Sequence, residues 1–207
     1  MPPFRFYLIT DRNTVRHDAV EWLPRLAAAG LRALQVREKD LAPRELAEYC
    51  RRLTEALPRF GAPRLYLNDR ADLALALGFT GVHLREDSLP LAQQPAILRQ
   101  RLRFGVSTHN LAGVRAAFEA GAEFATFGPV FETASKAGYG DPVGLDALHA
   151  AAQTTPLLLF ALGGVTPERV RDCLAAGAGG VAAIGAIWNA DDPVQALGRF
   201  RDALGGL

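Results

Sequence analysis

Eight apolar runs with the composition of buried β-strands alternate with helical stretches along the chain, which predicts an α/β protein of the (β/α)₈ barrel (TIM barrel) class. Successive runs are about 25 residues apart, the length of one strand and one crossover helix. Polar or glycine residues follow the runs, at the carboxyl ends of strands, where the active sites of such barrels lie. The predicted strands are Phe4–Thr10, Ala33–Arg37, Arg64–Asp69, Gly81–Leu84, Arg103–Thr108, Phe124–Val130, Leu157–Leu162 and Gly180–Ile187.

Length and composition predict one domain with a sizeable core. The chain has 207 residues, of which 49% are hydrophobic and 22% are charged, as is typical of globular proteins. We expect residues 1–207 to form a single barrel domain, because about 200 residues is already the small end of this fold. The net charge of +1 provides no global field that would recruit nucleic acid or an anionic membrane, so anionic ligands must be bound locally.

The amino terminus and the cysteines predict a cytoplasmic protein. Met1-Pro2-Pro3 leads directly into the first predicted strand, without a basic segment or a long apolar stretch, which predicts neither a signal peptide nor a membrane span. Cys50 and Cys173 lie in predicted helices without metal-ligand spacing, so we expect two buried thiols. Thr166-Pro167-Glu168 is typical of a helix start, with Thr as N-cap and Pro in the first turn.

Glycines after the last two strands predict a phosphate site. Gly163 and Gly164 follow strand seven, and Gly185 follows Ala183-Ile184. Loops after strands seven and eight of a barrel commonly bind phosphate through backbone N–H groups, which glycine lets the anion approach. The alternative is that these glycines only relieve crowding at the barrel rim.

A second anion site is predicted in the long loop from Phe131 to Val143. Thr133, Ser135 and Lys136 offer two hydroxyls and an ammonium within four residues, a set that suits a diphosphate. Two glycines in the same loop make it a candidate lid over a ligand. The alternative is an ordinary solvent-facing turn.

Three polar side chains at the end of strand two are expected to point into the barrel mouth. Gln35, Arg37 and Lys39 alternate along the chain and therefore share one face of a strand. They would supply donors and positive charge from a direction different from that of the long loop.

Acidic residues near strands three and four predict a Mg²⁺ site. Asp69 follows Asn68 at the end of strand three, and Glu86-Asp87 lies just past strand four. Carboxylates that face a diphosphate repel it unless a divalent cation lies between them, and Mg²⁺ suits oxygen ligands that share a phosphate. The alternative roles for Asp69 are a helix cap or an ion pair with Arg70.

Two histidines also stand near strand ends. For His83 and His109 we expect a structural or substrate-positioning role rather than acid–base catalysis, because no Ser, Cys or carboxylate stands beside either one at a diagnostic spacing.

Taken in order, these motifs span nearly the whole chain and resemble the thiamin phosphate synthase family. The resemblance implies a (β/α)₈ barrel that joins hydroxymethylpyrimidine diphosphate to thiazole phosphate and releases diphosphate with the help of Mg²⁺. The motifs are Tyr7-Leu8-Ile9-Thr10-Asp11, Gln35-Val36-Arg37-Glu38-Lys39, Leu67-Asn68-Asp69-Arg70, Gly81-Val82-His83-Leu84, Gly105-Val106-Ser107-Thr108-His109, Gly128-Pro129-Val130-Phe131, Thr133-Ala134-Ser135-Lys136 and Leu162-Gly163-Gly164-Val165.

The resemblance also implies a role for each site residue. The pyrimidine diphosphate would be held by Gln35, Lys39 and Asn68, and Ser107 would lie by the pyrimidine. Mg²⁺ would be bound by Asp69 and Asp87, and the diphosphate by Thr133, Ser135 and Lys136. The thiazole phosphate would bind to Gly164 and to the amides around Ile184 and Gly185. The pyrimidine–diphosphate bond would ionise first, so that no protein nucleophile is needed. Lys136 would stabilise the leaving group, and Ser107 would interact with the pyrimidine.

Two departures from the family pattern leave alternatives open. The family pattern reads Gly-Gln-x-Asp after strand four, whereas this chain has Arg85-Glu86-Asp87, which is one residue shorter. Glu86 is therefore an alternative to Asp87 as metal ligand. The long loop also resembles TenI-type thiazole tautomerases, although Pro129 stands where their histidine is expected. A sugar-phosphate aldolase or isomerase and a non-catalytic phosphate-binding regulator are further alternatives, and a homodimer is left open.

Overall fold

The computed structural model describes residues 2–57, 61–133 and 141–206, and its sheet confirms the predicted fold class. Eight parallel strands pair in sequence order, and β8 pairs with β1 to close the barrel. The strands are β1 (Phe6–Ile9), β2 (Ala33–Val36), β3 (Arg64–Asn68), β4 (Gly81–Leu84), β5 (Arg103–Thr108), β6 (Phe124–Phe127), β7 (Leu158–Ala161) and β8 (Gly180–Ala183).

Helices follow the strands around the barrel. Within the described residues they are α1 (Ala19–Ala28), α2 (Pro43–Ala56), α3 (Ala71–Ala76), α4 (Ala96–Arg101), α5 (Leu111–Glu119), α6 (Gly144–Ala152), α7 (Val170–Ala175), α8 (Gly185–Trp188) and α9 (Pro193–Leu204). None of these helices combines the length and the apolar character needed to cross a membrane.

The predicted ends of the sixth and eighth strands were wrong, and β6 ends at Phe127 rather than Val130. The eighth predicted strand extended to Ile187, but β8 ends at Ala183 because the backbone of Ile184 leaves the extended conformation (φ −119°, ψ −89°) and α8 begins at Gly185. A short apolar run does not distinguish a buried strand from a buried helix by its periodicity. Thr166 is the N-cap residue and Pro167 lies in the first turn, as predicted, but this turn is a 3₁₀ turn over Pro167–Arg169 and α7 begins at Val170.

The core has two layers, and the inner one is aromatic. Phe4, Tyr7, Tyr66, Phe124 and Phe160 come from β1, β3, β6 and β7 or from residues beside them, and they contact one another. Rings from opposite sides of a closed barrel can meet only in its interior. The ring of Phe124 has its centroid 5.1–5.6 Å from those of the other four, and all four pairs are edge to face, a favourable arrangement for aromatic rings. This cluster fills the interior, so ligands must bind above it.

Both cysteines lie in the outer layer between strands and helices. Cys50 on α2 and Cys173 on α7 are fully buried free thiols, as predicted. Burial raises the pKa of Cys50 to about 12 and that of Cys173 to about 11, so neither is a reactive thiolate at neutral pH.

Candidate active site

Polar side chains from four neighbouring strands meet in a cavity of about 650 Å³ at the carboxyl ends of the strands. We call it the central cavity. It is lined by six of the predicted site residues from β2 to β5, namely Gln35, Arg37, Lys39, Asn68, Asp87 and Ser107, and also by Ile184. The three polar residues at the end of β2 therefore all point into the barrel mouth, as the alternation of side chains along a strand predicts.

A second cavity of about 540 Å³ adjoins the first. We call it the glycine cavity, because Gly163, Gly164 and Gly185 line it, together with Ile184 and Thr133. The two cavities share Pro129, Leu162 and Ile184. Thr133, predicted beside Ser135 and Lys136, therefore lies with the predicted phosphate residues.

The two glycines that follow β7 also meet a packing requirement. A Cβ atom on Gly164 would lie 2.3 Å from the carbonyl oxygen of Glu132, and one on Gly163 would lie 2.6 Å from Pro129. Both residues have positive φ, 62° and 95°. Close approach to the β6–α6 loop thus requires glycine here regardless of any ligand, so part of the alternative reading, crowding at the rim, is correct.

Two side-chain amides are held against each other in the central cavity. Gln35 is buried, and its Nε2 donates to Oδ1 of Asn68 over 3.1 Å. The pairing fixes the orientation of both amides across the β2–β3 step, so the remaining donors and acceptors face the cavity in a defined direction.

Positive charge is concentrated beside these amides. Arg37 forms a 2.7 Å ion pair with Asp11. Desolvation, followed by the neighbouring charges of Arg37 and Arg85, lowers the pKa of Lys39. A cluster of cations that repel one another in this way is suited to an anionic ligand.

A buried carboxylate that the sequence did not indicate holds the β1 and β2 loops together. Glu38 accepts hydrogen bonds from Thr10 Oγ1 at 2.5 Å and from the backbone N–H of Arg12 at 3.0 Å, and the N–H of Arg37 donates to Thr10 Oγ1. Burial raises the pKa of Glu38, against the opposing effect of the bond from Thr10. This network fixes the position of Arg37.

Asp69 has an uncommon backbone conformation for a residue other than glycine. Its φ is 64°, a region that Asp and Asn tolerate better than most residues. Its side chain accepts a hydrogen bond from Ser88 Oγ and contacts Arg85. Neither alternative role for Asp69 is found, because Arg70 is the N-cap residue of α3 and its guanidinium binds Asp72 at 2.8 Å.

The structure also separates the two acidic residues after β4. Asp87 lies 3.3 Å from Arg85 Nε, and Asp69 lies 3.4 Å from Nη2 of the same side chain. Glu86 instead lies 3.8 Å from Nε2 of His109, whose Nδ1 contacts the carbonyl oxygen of Gly128. Of the two candidates, Asp87 is therefore the one that contacts the same arginine as Asp69.

Asp69 and Asp87 suit a divalent cation by their chemistry. Both offer carboxylate oxygens, and Mg²⁺ is usually held by one or two carboxylates together with substrate phosphates and water. Within the part of the chain that the structure describes, no group of three or more His, Cys, Asp or Glu side chains forms a metal site. Two carboxylates of this kind would leave the other positions around such an ion to phosphate oxygens and water.

Ser107 is positioned by a buried histidine. His83 Nε2 lies 3.1 Å from Ser107 Oγ and 3.4 Å from Thr126 Oγ1, while Nδ1 lies 3.4 Å from the hydroxyl of Tyr7. Complete burial, with a smaller effect of Arg37, lowers the pKa of His83 to about 3. The imidazole is thus neutral at physiological pH, which favours the predicted positioning role over acid–base catalysis.

A still larger cavity of about 1000 Å³ lies beside α1 and α2. It is lined mainly by charged side chains of mixed sign, such as Arg44, Glu45, Glu48 and Arg52. None of the predicted site residues that the structure describes belongs to it, so size alone does not locate the candidate site.

Known proteins resemble this chain over nearly its whole length. Residues 6–187 match the family described as thiamine monophosphate synthase. The chain belongs to that family. A protein of Geobacter sulfurreducens is 46% identical over 191 residues, covering 92% of this chain and 89% of that protein. A thiamine-phosphate synthase of Chloroflexus aurantiacus is 35% identical over 201 residues, covering 96% and 91%. The structure of a thiamine phosphate pyrophosphorylase from Pyrococcus furiosus superimposes with a TM-score of 0.84 at 27% identity, covering 97% and 95%.

Part of the predicted family site lies outside the described residues. Ser135 and Lys136, predicted to bind diphosphate, and Gly138 and Gly140, on which the lid prediction depends, are in the segment 134–140. Pro129 stands where the TenI-type relatives are expected to have histidine, and it lines both cavities.

Proposed function

We propose that this protein is a thiamin phosphate synthase, a transferase of thiamin biosynthesis that joins hydroxymethylpyrimidine diphosphate to thiazole phosphate and releases diphosphate. The observation that carries the proposal is the pair of adjoining cavities, one rich in amides and cations and the other lined by glycines. A reaction that joins two phosphorylated ligands needs two such sites side by side.

The central cavity would hold the pyrimidine diphosphate. The paired amides of Gln35 and Asn68 present fixed hydrogen-bonding groups, while Arg37 and Lys39 supply positive charge for the diphosphate. The glycine cavity would hold the thiazole phosphate through backbone N–H groups near Gly164 and Gly185. The shared wall at Ile184 would then bring the two reacting groups together.

The reaction needs no protein nucleophile. The bond between the pyrimidine methylene carbon and the diphosphate oxygen would break with its electron pair leaving on diphosphate, and the thiazole nitrogen would form the new bond to that carbon. Ser107, oriented by neutral His83, would contact the pyrimidine where positive charge develops. Preorganised dipoles of this kind stabilise a charged transition state more strongly than water does.

The cofactor in this proposal is Mg²⁺, held by Asp69 and Asp87. When bound, such an ion neutralises charge on the departing diphosphate. Lys136, with Ser135, would contact the same leaving group from the long loop, and Thr133, which lines the adjoining glycine cavity, would approach it from that side.

The proposal also covers the setting of the enzyme. We propose a single domain over residues 1–207 in the cytoplasm, where the buried thiols of Cys50 and Cys173 would stay reduced, with small phosphorylated molecules rather than nucleic acid or membranes as its partners. A homodimer is the assembly to test, by sedimentation velocity.

A TenI-type tautomerase is the second candidate, since the long loop resembles those relatives. It would need only the thiazole phosphate and a proton acceptor. The proline ring at position 129 offers none, so another base would have to serve. Calorimetric titration separates the two. Without thiazole phosphate, a synthase binds the pyrimidine diphosphate in a Mg²⁺-dependent manner, whereas a one-ligand tautomerase or a regulator shows no such binding.

We expect Lys136→Ala to lower kcat/KM by an amount that corresponds to about 2–4 kcal/mol of lost transition-state stabilisation. The reason is that the substitution removes a positive charge that would face the leaving diphosphate. Lys136→Arg, which keeps the charge, is the matched control and should retain more activity. Steady-state rates and a thermal melt of each variant measure the effect. Wild-type turnover in Lys136→Ala would remove this residue from the mechanism.

A further inference from the structure

One guanidinium lies between the two carboxylates that are assigned to the metal. Arg85 approaches Asp69 through Nη2 at 3.4 Å and Asp87 through Nε at 3.3 Å. Its own backbone N–H donates to Ser88 Oγ over 2.8 Å, and Ser88 in turn contacts Asp69. The turn after β4 thus fixes the start of the Arg85 side chain next to the carboxylates.

The contacts of Arg85 are incomplete. Its Nε is buried and has no hydrogen-bond partner among the described residues, so the 3.3 Å approach to Asp87 lacks hydrogen-bond geometry. A buried donor without a partner is costly, and a ligand acceptor that reached it would remove that cost. Arg85 also lines the central cavity, where such an acceptor would arrive.

We propose that Arg85 is a built-in counter-cation, which offsets part of the negative charge of Asp69 and Asp87 in the free protein and passes to the diphosphate when a divalent cation takes its place. The proposal rests on the proposed function, since it specifies how the assigned metal and diphosphate sites are coupled.

Competition for the same oxygens gives the proposal its physical basis. A carboxylate paired with a guanidinium has less negative charge to offer a metal ion, so Arg85 weakens cation binding while no diphosphate is present. A planar guanidinium also matches phosphate oxygens, on which it can form two parallel hydrogen bonds. In this exchange the divalent cation faces both carboxylates, and the positive charge of Arg85 moves to the diphosphate.

The first test measures Mn²⁺ binding to the substrate-free protein by the loss of the free-ion electron paramagnetic resonance signal. We expect Arg85→Gln to bind Mn²⁺ at least about tenfold more tightly than wild type, because the competing charge is gone. Adding Asp69→Asn to Arg85→Gln should abolish the gain. Arg201→Gln, which removes an exposed partner of Asp202 on α9, is the matched control and should change nothing.

The second test titrates inorganic diphosphate in the presence of excess Mg²⁺, the condition under which Arg85 is released to the anion. Wild type should bind it, and Arg85→Gln should bind it about tenfold more weakly, since the guanidinium is then missing from the anion site. Arg85→Lys keeps the charge without the planar fork and should lie between them. A thermal melt of each variant confirms that it is folded.

The outcomes distinguish this proposal from the proposed function. Unchanged Mn²⁺ affinity in Arg85→Gln overturns the role of Arg85 even if thiamin phosphate is formed. Weaker Mn²⁺ binding in that variant overturns it too, because Arg85 would then support the metal rather than compete with it. Absence of thiamin phosphate formation by wild type contradicts the synthase, whatever the two titrations show.

Discussion

Asp69→Asn should abolish most of the Mg²⁺-dependent activity, with a loss of about 10³-fold in kcat/KM, or about 4 kcal/mol. The substitution removes one of two anionic oxygen donors. It keeps a residue that tolerates the positive φ of 64° at this position, so the backbone should hold its shape. Steady-state kinetics over a range of Mg²⁺ concentrations give the measurement.

Neighbouring acidic residues supply the controls for this prediction. Asp87→Asn should match Asp69→Asn, since both carboxylates meet at Arg85. Glu86→Gln should have a smaller effect, because Glu86 contacts His109 instead. Asp72→Asn removes an exposed partner of Arg70 and should leave activity unchanged. Damage by Glu86→Gln without damage by Asp87→Asn would contradict the assignment.

His83→Gln should make the stability of the protein less sensitive to acid. His83 has a pKa of about 3 in the folded protein, whereas histidine in an unfolded chain has a pKa of about 6.5. Between these values the unfolded state binds the additional proton. Stabilisation by neutral His83 is therefore complete above about pH 6.5 and is lost as the pH falls toward 3, at about 1.4 kcal/mol per pH unit.

Denaturant unfolding at pH 7, 6, 5 and 4 tests this prediction. The free energy of unfolding of wild type should fall more steeply with acid than that of His83→Gln. Between pH 7 and pH 4 the additional loss in wild type should be about 3 kcal/mol. His149→Gln, at an exposed position on α6, is the control and should keep the wild-type slope. Parallel curves for wild type and His83→Gln would rule out a buried neutral imidazole.

Much of the fold was predictable because its rules are local. Strands buried on both faces leave continuous apolar runs, and each of the eight predicted runs contains the observed strand. The failure at β8 has the opposite cause. Residues 184–187 are as apolar as a strand, but tertiary packing places Ile187 and Trp188 in a buried helical turn, and no local pattern distinguishes the two.

The site was only partly predictable, for a related reason. Strand alternation was enough to place Gln35, Arg37 and Lys39 at one cavity. It could not reveal the bond between Thr10 and Glu38, which joins residues from two loops, or the approach of Arg85 to two carboxylates. Contacts of this kind depend on the conformations of loops, and loop sequences have no periodic pattern from which the contacts could be predicted. The resemblance indicated an irregularity after β4 but not its consequence.

Incubation of the purified protein with hydroxymethylpyrimidine diphosphate, thiazole phosphate and Mg²⁺ tests the central claim most directly. Thiamin phosphate and inorganic diphosphate should appear in equal amounts, and both should be lost in the Asp69→Asn variant. Isomerisation of a carboxythiazole phosphate by the same preparation, with no thiamin phosphate formed from the two synthase substrates, would contradict the synthase and identify a tautomerase.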